Sequence, residues 1–255
     1  MQKTLKIKNE PYWWSDAKPE FVAQEEWPSN ADVVIVGAGY TGLSAALTLL
    51  DSGLKVIIID KEIAGFGASS RNGGITSGKI KPSIRELKGK FGLDLSKQIV
   101  EEGDLARKDL YDFIEKEKID CDLKINGMFV GATSKKGLEN QKKEADFNFR
   151  SIGIENKIIE KKDVPDFIES NKYVGGVFDD KIGSIHPAKL VKSMIHLVHK
   201  KGGLIFDKTI FKKSERNGKK FNILTTKGLV KSNHLIIATN AYTDKNIPWL
   251  RKKLI

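Results

Sequence analysis

The residues from Asp32 to Gly37, DVVIVG, form an apolar run rich in β-branched side chains, with no polar alternation. Such a run predicts a strand buried on both faces, as in a parallel sheet. The next segment, LSAALTLLDSG, changes to helical spacing of its apolar positions, and Gly53 stands where a helix C-terminal cap belongs. KVIIID then repeats the buried-strand pattern. From Leu87 to about Lys118 the pattern is helical, with Ile99, Leu105, Leu110, Phe113 and Ile114 spaced for one face. GMFVGA reads as a strand, LENQKKEADFNFRSIG as an exposed helix, and YVGGVFDDKIGSIHP as sheet and turn. PAKLVKSMIHLVHKKGG is helical, with Leu190, Val191, Met194, Ile195, Leu197 and Val198 turned inward. GLIFDKTIF predicts a strand; KKFNILTTKGLVKSNHLIIATN predicts two strands about a Lys-Gly turn and then a buried strand.

This order of elements predicts an α/β chain that opens as a Rossmann-like strand, glycine turn, helix and strand.

Composition narrows the partners. The 255 residues are 40% hydrophobic and 30% charged, an ordinary globular balance, and the net charge is +11. Only six of the 44 basic residues are Arg, and the Lys residues are scattered along the chain. Nucleic-acid readers concentrate Arg and interleave aromatics with it, so this charge reads as a solvated surface and no nucleic-acid partner is expected. The single cysteine, Cys121, leaves no intrachain disulfide and no CxxC pair, which fits a reducing cytoplasm. The N-terminus, MQKTLKIKNEPYWW, lacks the apolar core of a secretory signal. Glycines interrupt the most apolar stretch, Val33 to Leu50, so no membrane span is expected.

Between the first strand and its helix, Gly37, Gly39 and Gly42 spell G-x-G-x-x-G. Gly37 permits a tight turn, Gly39 lets backbone approach a pyrophosphate, and Gly42 lets helix and strand pack closely. The helix N-terminus offers unpaired N–H groups and a positive dipole end to phosphates. Asp60 lies 23 residues after Gly37, at the end of the second strand, where a carboxylate accepts hydrogen bonds from adenosine ribose hydroxyls and repels a 2′-phosphate. These features serve either a nicotinamide or a flavin dinucleotide. An NAD-dependent dehydrogenase calls for another crossover helix soon after Asp60; the sequence instead reads EIAGFGASSRNGGITSG, whose glycines make a poor helix. Such glycine density lets backbone lie against something flat or charged, and Ser69, Ser70, Arg71 and Asn72 add donors.

VVIVGAGYTGLSAALTL followed by GFGASSRNGG resembles the FAD-dependent oxidoreductases of the D-amino-acid oxidase-like family. PYWW, IDCDLKINGMFVGA, GSIHPAKL and IIATNAYT extend the resemblance from about Tyr12 to Leu250. The resemblance implies FAD as cofactor and a small-molecule amine or amino acid as substrate. It also implies a Rossmann-like FAD-binding domain with an inserted α+β substrate-side domain: an N-terminal arm (1–30), the first part of the FAD-binding domain (31–90), the substrate-side insertion (91–184) and the second part of the FAD-binding domain (185–255). The amine-bearing carbon gives hydride to flavin, and the imine left behind hydrolyses. By position, it places Gly37, Gly39, Thr41 and Gly42 at the pyrophosphate and Asp60 and Lys61 at the adenosine. It places Gly67, Ala68, Ser69, Arg71, Asn72, Gly73 and Gly74 along the path from ribityl to flavin ring. It also sets the backbone of Ile210 against the adenine and has Ala238 and Thr239 close over the cofactor. Family members continue past the point where this chain stops at IPWLRKKLI, so the resemblance also implies a fold incomplete at the C-terminus. The alternatives are an inactive fragment, a half completed by a second polypeptide, and a nicotinamide enzyme.

No catalytic side chain can be picked out. His196 and His199 lie three apart on a helix, flanked by Lys192 and Lys200, and read as a solvated pair rather than a metal site. His186 before Pro187 reads as a cap or a packing residue. Trp13, Trp14 and Trp27 read as anchors of the arm.

Overall fold

The computed structural model describes residues 8–21 and 26–253; the first seven residues and 22–25 of the expected arm, and the last two residues of the chain, lie outside the described residues. The chain forms two compact units, one made of the chain up to Gly73 and again from His186, the other of Gly74–Ile185.

The first unit opens with β1 (Asn30–Val36), α1 (Tyr40–Asp51) and β2 (Val56–Ile59). Val33, Val34, Ile35 and all four residues of β2 are at most 2% exposed, as an unalternated apolar run requires. Burying each of these side chains contributes roughly 1.5–3 kcal/mol. Leu43, Ala46 and Leu47 form the inner stripe of α1. The helix stops where Gly53 turns left-handed, at φ +77°. Asp32 fastens the return to the sheet, its Oδ2 accepting from the Lys55 N–H at 2.8 Å.

The second unit holds β3 (Ile75–Thr76), α2 (Ile84–Lys116), β4 (Met128–Ala132), α3 (Lys135–Ile152), β5 (Lys157–Glu160), β6 (Gly175–Asp179) and β7 (Gly183–Ser184). Its antiparallel sheet runs β4-β6-β5, and β3 pairs with β7. Phe167 stacks on Phe129 and tilts against Phe178, with ring centroids 5.3 and 4.9 Å apart. Ser83 and Glu86 form a reciprocal capping box that starts α2. The helix breaks at Gly92, whose φ of +77° and ψ of 173° are not helical. The stripe expected on α2 is only partly inward: Ile114 is buried, while Leu105 is 54% exposed.

The chain then returns as α4 (Pro187–Lys200), β8 (Leu204–Phe206), β9 (Phe211–Asn217), β10 (Lys220–Thr225), β11 (Leu229–Ile237) and α5 (Pro248–Arg251). The main sheet has the order β8-β2-β1-β11-β10-β9. Pairing is parallel from β8 to β11 and antiparallel through β10 and β9. One face carries Val34, Val36, Ile57, Ile59, Phe206, Ile223 and Val230 in a single core.

Two expected strands and one expected boundary differ from the structure. GLIFDKTIF is not one strand: β8 ends at Phe206 and the chain turns before β9 begins at Phe211. The second strand and the buried strand expected after the Lys-Gly turn are one element, β11. Its first half pairs with β10 and nearly all of it with β1, so Lys231, Asn233 and His234 sit inside a continuous strand. The unit change falls at 73/74, whereas the boundary expected at 90/91 lies inside α2; the return, at 185/186, lies one residue from the expected place.

Candidate FAD site

Three parallel strands end side by side in the first unit. Gly37 N–H donates to Ile59 O and Ala238 N–H to Val36 O, both at 2.8 Å, so the ends of β2, β1 and β11 are tied together. Ligands of doubly wound sheets sit beyond such carboxyl ends. Gly37 has φ +109°, and a Cβ there would meet the Ala238 carbonyl oxygen at 2.6 Å. A Cβ on Gly42 would meet the Gly37 oxygen at 1.9 Å, so only glycine lets α1 lie this close to β1. A Cβ on Gly39 would meet Ser69 Oγ at 2.9 Å. Gly39 begins α1 with no side-chain cap, and the Tyr40 N–H donates to Ser69 Oγ at 3.0 Å. The positive end of α1 therefore opens onto this edge.

Asp60 follows β2. Its Oδ2 accepts from the Ala38 N–H at 2.8 Å and its Oδ1 from the Glu62 N–H at 2.9 Å. Burial pushes its pKa up from the ordinary aspartate value, against the opposing pull of these two donors. Beside it, Lys61 Nζ donates to the Tyr242 carbonyl at 3.3 Å. Gly65 N–H donates to Ala38 O at 3.0 Å, turning the following segment back over the strand ends. A Cβ on Gly67 would stand 3.3 Å from the Tyr242 ring.

These pieces enclose a cavity of about 290 Å³. Of the sequence-predicted residues, Gly37, Gly39, Thr41, Asp60, Lys61, Gly67, Ala68, Ser69, Ile210, Ala238 and Thr239 line it. Gly42, Arg71, Asn72, Gly73 and Gly74 do not; Gly42 serves the helix–strand contact, and Gly74 belongs to the second unit. Ile210 is present at the wall, yet its N–H donates to Thr226 Oγ1 at 2.9 Å and its carbonyl accepts from the Thr226 N–H at 3.0 Å. Sequence reasoning missed Phe66, Phe211, Tyr242, Asp244 and Ile247, which also line the cavity. For Tyr242 and Asp244 a signal existed, since NAYTD directly continues the segment that holds Ala238 and Thr239.

The donor set fits an adenine dinucleotide. Val36, Ile59, Phe211 and Ile247 supply apolar wall for a flat base, Asp60 supplies an acceptor for ribose, and the start of α1 supplies backbone N–H groups for phosphate. His186 is the N-cap of α4, its Nδ1 accepting from the Lys189 N–H at 3.2 Å. His196 is exposed and His199 half-buried. Among the described residues no group of three His, Cys, Asp or Glu could hold a metal, and no helix is long and apolar enough to cross a membrane.

Comparison with known proteins bears on the same residues. The family model described as FAD dependent oxidoreductase matches residues 32–254. Gamma-glutamylputrescine oxidoreductase of Escherichia coli (strain K12) is 32% identical over 234 residues, which cover 88% of this chain and 52% of that protein. A probable oxidoreductase OrdL of Haemophilus influenzae is 34% identical over 218 residues, covering 84% of this chain and 50% of that one. The chain thus spans about half the length of the curated relatives it matches. Among solved structures, glycine oxidase from Geobacillus kaustophilus superposes with a TM-score of 0.72 at 19% identity, covering 88% of this chain and 59% of that one. L-amino acid deaminase from Proteus vulgaris gives 0.72 at 23%, covering 88% and 51%. The chain, with its glycine turn, its carboxylate and its second glycine segment, belongs to the family of FAD-dependent oxidoreductases that this match defines.

Proposed function

We propose that the chain binds FAD at the ends of β1, β2 and β11 and serves the oxidation of a carbon–nitrogen bond in a small amine or amino acid. The observation that carries the reading is the cavity itself. Both glycine motifs converge on it, although they are separate in sequence and only the first belongs to a general dinucleotide fingerprint. The family match removes the nicotinamide alternative, which left the second motif without a purpose.

Within the site, the start of α1 and the backbone at Gly39 and Thr41 receive the pyrophosphate. Asp60 accepts the ribose hydroxyls, and Gly67, Ala68 and Ser69 cover the cofactor on the side facing α1. Lys61 and Tyr242 close the adenosine end. When bound, FAD supplies the hydride acceptor. The relative named for gamma-glutamylputrescine suggests a gamma-glutamylated diamine as the first substrate to try, with glycine and larger amino acids next, after the named structural neighbours. A reducing compartment belongs to the same reading and rests on the single, buried Cys121. The test is anaerobic mixing of the FAD-loaded chain with each amine. Bleaching of the flavin band by one of them supports the reading, and an unbleached flavin with all of them removes the amine-oxidising part of it.

A further inference from the structure

Three side chains of the first unit hold the cofactor-covering segment without reaching the cavity. The segment Phe66–Ser69 lines the cavity, whereas Trp13, Trp14 and Arg71 do not. Trp14 is 8% exposed, and its Nε1–H donates to Ser70 Oγ at 3.0 Å. Ser70, the residue after Ser69, is fully buried. Trp13 Nε1–H donates to Asn72 O at 2.7 Å, and the Asn72 side-chain amide reaches back to Ser69 O at 2.9 Å. The Trp14 and Phe66 rings touch, with centroids 5.2 Å apart, and the Arg71 guanidinium rests on the pair, 4.5 Å from the Trp14 centroid and 4.2 Å from that of Phe66. Its Nε donates to the Phe66 carbonyl at 2.7 Å.

The other side of the arm is fixed as well. Trp14 and Ala17 pack on Ala188, the Trp13 ring lies 4.8 Å from that of His186, and Lys192 pairs with Glu20 at 2.9 Å. The arm is therefore pinned to α4 on one side and grips residues 66–72 on the other. Family resemblance put Arg71 and Asn72 on the cofactor; their hydrogen bonds and ring contacts point to the arm and the segment's own backbone.

We infer that the N-terminal arm is a strap that sets the conformation of the FAD-covering segment, with Trp14 and Arg71 as positioning residues acting on the cofactor through Ser70 and Phe66. The inference rests on the FAD reading for its consequence, though not for its geometry. A guanidinium resting on two rings gains cation–π attraction from both, and its plane stacks there while Nε still donates to the Phe66 carbonyl, a combination an ammonium does not reproduce. A buried hydroxyl that loses its donor is costly, and the cost falls on the segment that carries it.

The test compares wild type with Trp14→Phe, which keeps one aromatic ring against Arg71 and removes the N–H together with the second ring of the indole, and with Arg71→Lys, which keeps the charge and removes the plane. Amide hydrogen exchange without FAD, and FAD affinity and dissociation rate, are read on each full chain. The strap predicts faster exchange confined to residues 66–72 in both variants and an FAD Kd raised about fivefold, mostly through faster release. Wild-type exchange over 66–72 in both variants overturns the strap, as does a lowered melting point with unchanged Kd and release rate. A wild-type chain that takes up no FAD removes the cofactor reading instead, and the exchange pattern alone then decides the strap. Where Trp14→Phe fails to fold, Arg71→Lys carries the same two readouts.

Discussion

Asp60 stands on the cavity wall with both carboxylate oxygens accepting backbone N–H groups, and burial raises its pKa. The raised value gives two opposite pH effects. The folded chain holds the Asp60 proton more tightly than the unfolded chain, so this group's contribution to stability falls as pH rises from the unfolded to the folded pKa. FAD binding needs the ionised acceptor, so affinity weakens as pH falls through the raised pKa, starting above the usual aspartate range. FAD titrations between mildly acidic and neutral pH should show this slope, and Asp60→Asn should bind more weakly with the slope gone. Gly42 makes a steric prediction. Gly42→Ala places a methyl inside the Gly37 carbonyl, forcing α1 off β1, and should cost several kcal/mol, on the order of an overpacked core, seen as a large drop in melting temperature. Arg71 and Asn72 were read toward the cofactor because sequence gives residue type and not direction; Trp14, 57 positions earlier, decides the direction.

At the scale of elements, the apolar runs of β1 and β2 and the helical period of α1 and α4 were plain because burial on fixed faces writes them into the sequence. β11 was harder. It pairs antiparallel on one side and parallel on the other, and its polar positions 231, 233 and 234 interrupt the run that marks a buried strand. The break in α2 was hidden because two glycines, Gly89 and Gly92, are equivalent on paper. Both have open space around them, but only Gly92 has positive φ. Gly89→Ala should therefore stabilise the chain by roughly 0.5–1 kcal/mol. Gly92→Ala should destabilise it by roughly 1–2 kcal/mol. Denaturant melts of the two variants check this pair, and equal signs would contradict the assigned break.

For the whole molecule, the alternation of strand and helix patterns marked an α/β chain, and the family resemblance supplied the α+β insertion. The start of the interruption was not legible, because residues 74–83 carry neither period; the chain changes unit there before α2 begins. The site is assembled from segments on both sides of that interruption, Gly37–Ser69 and Thr209–Ile247, so cofactor binding and folding of the first unit are linked. A ligand that binds only the folded state raises stability by about 2.7 kcal/mol at a hundred times its Kd. FAD should accordingly raise the melting temperature by several degrees, and Gly37→Ala, which strains the backbone and meets Ala238, should abolish that increment.

The most direct measurement is the visible absorption spectrum of the purified chain, taken before and after added FAD and again after acid or heat release. The expected result is a protein-bound flavin spectrum that denaturation sets free, since neither glycine motif holds a His or Cys for covalent attachment. A colourless protein that takes up no added FAD would contradict it.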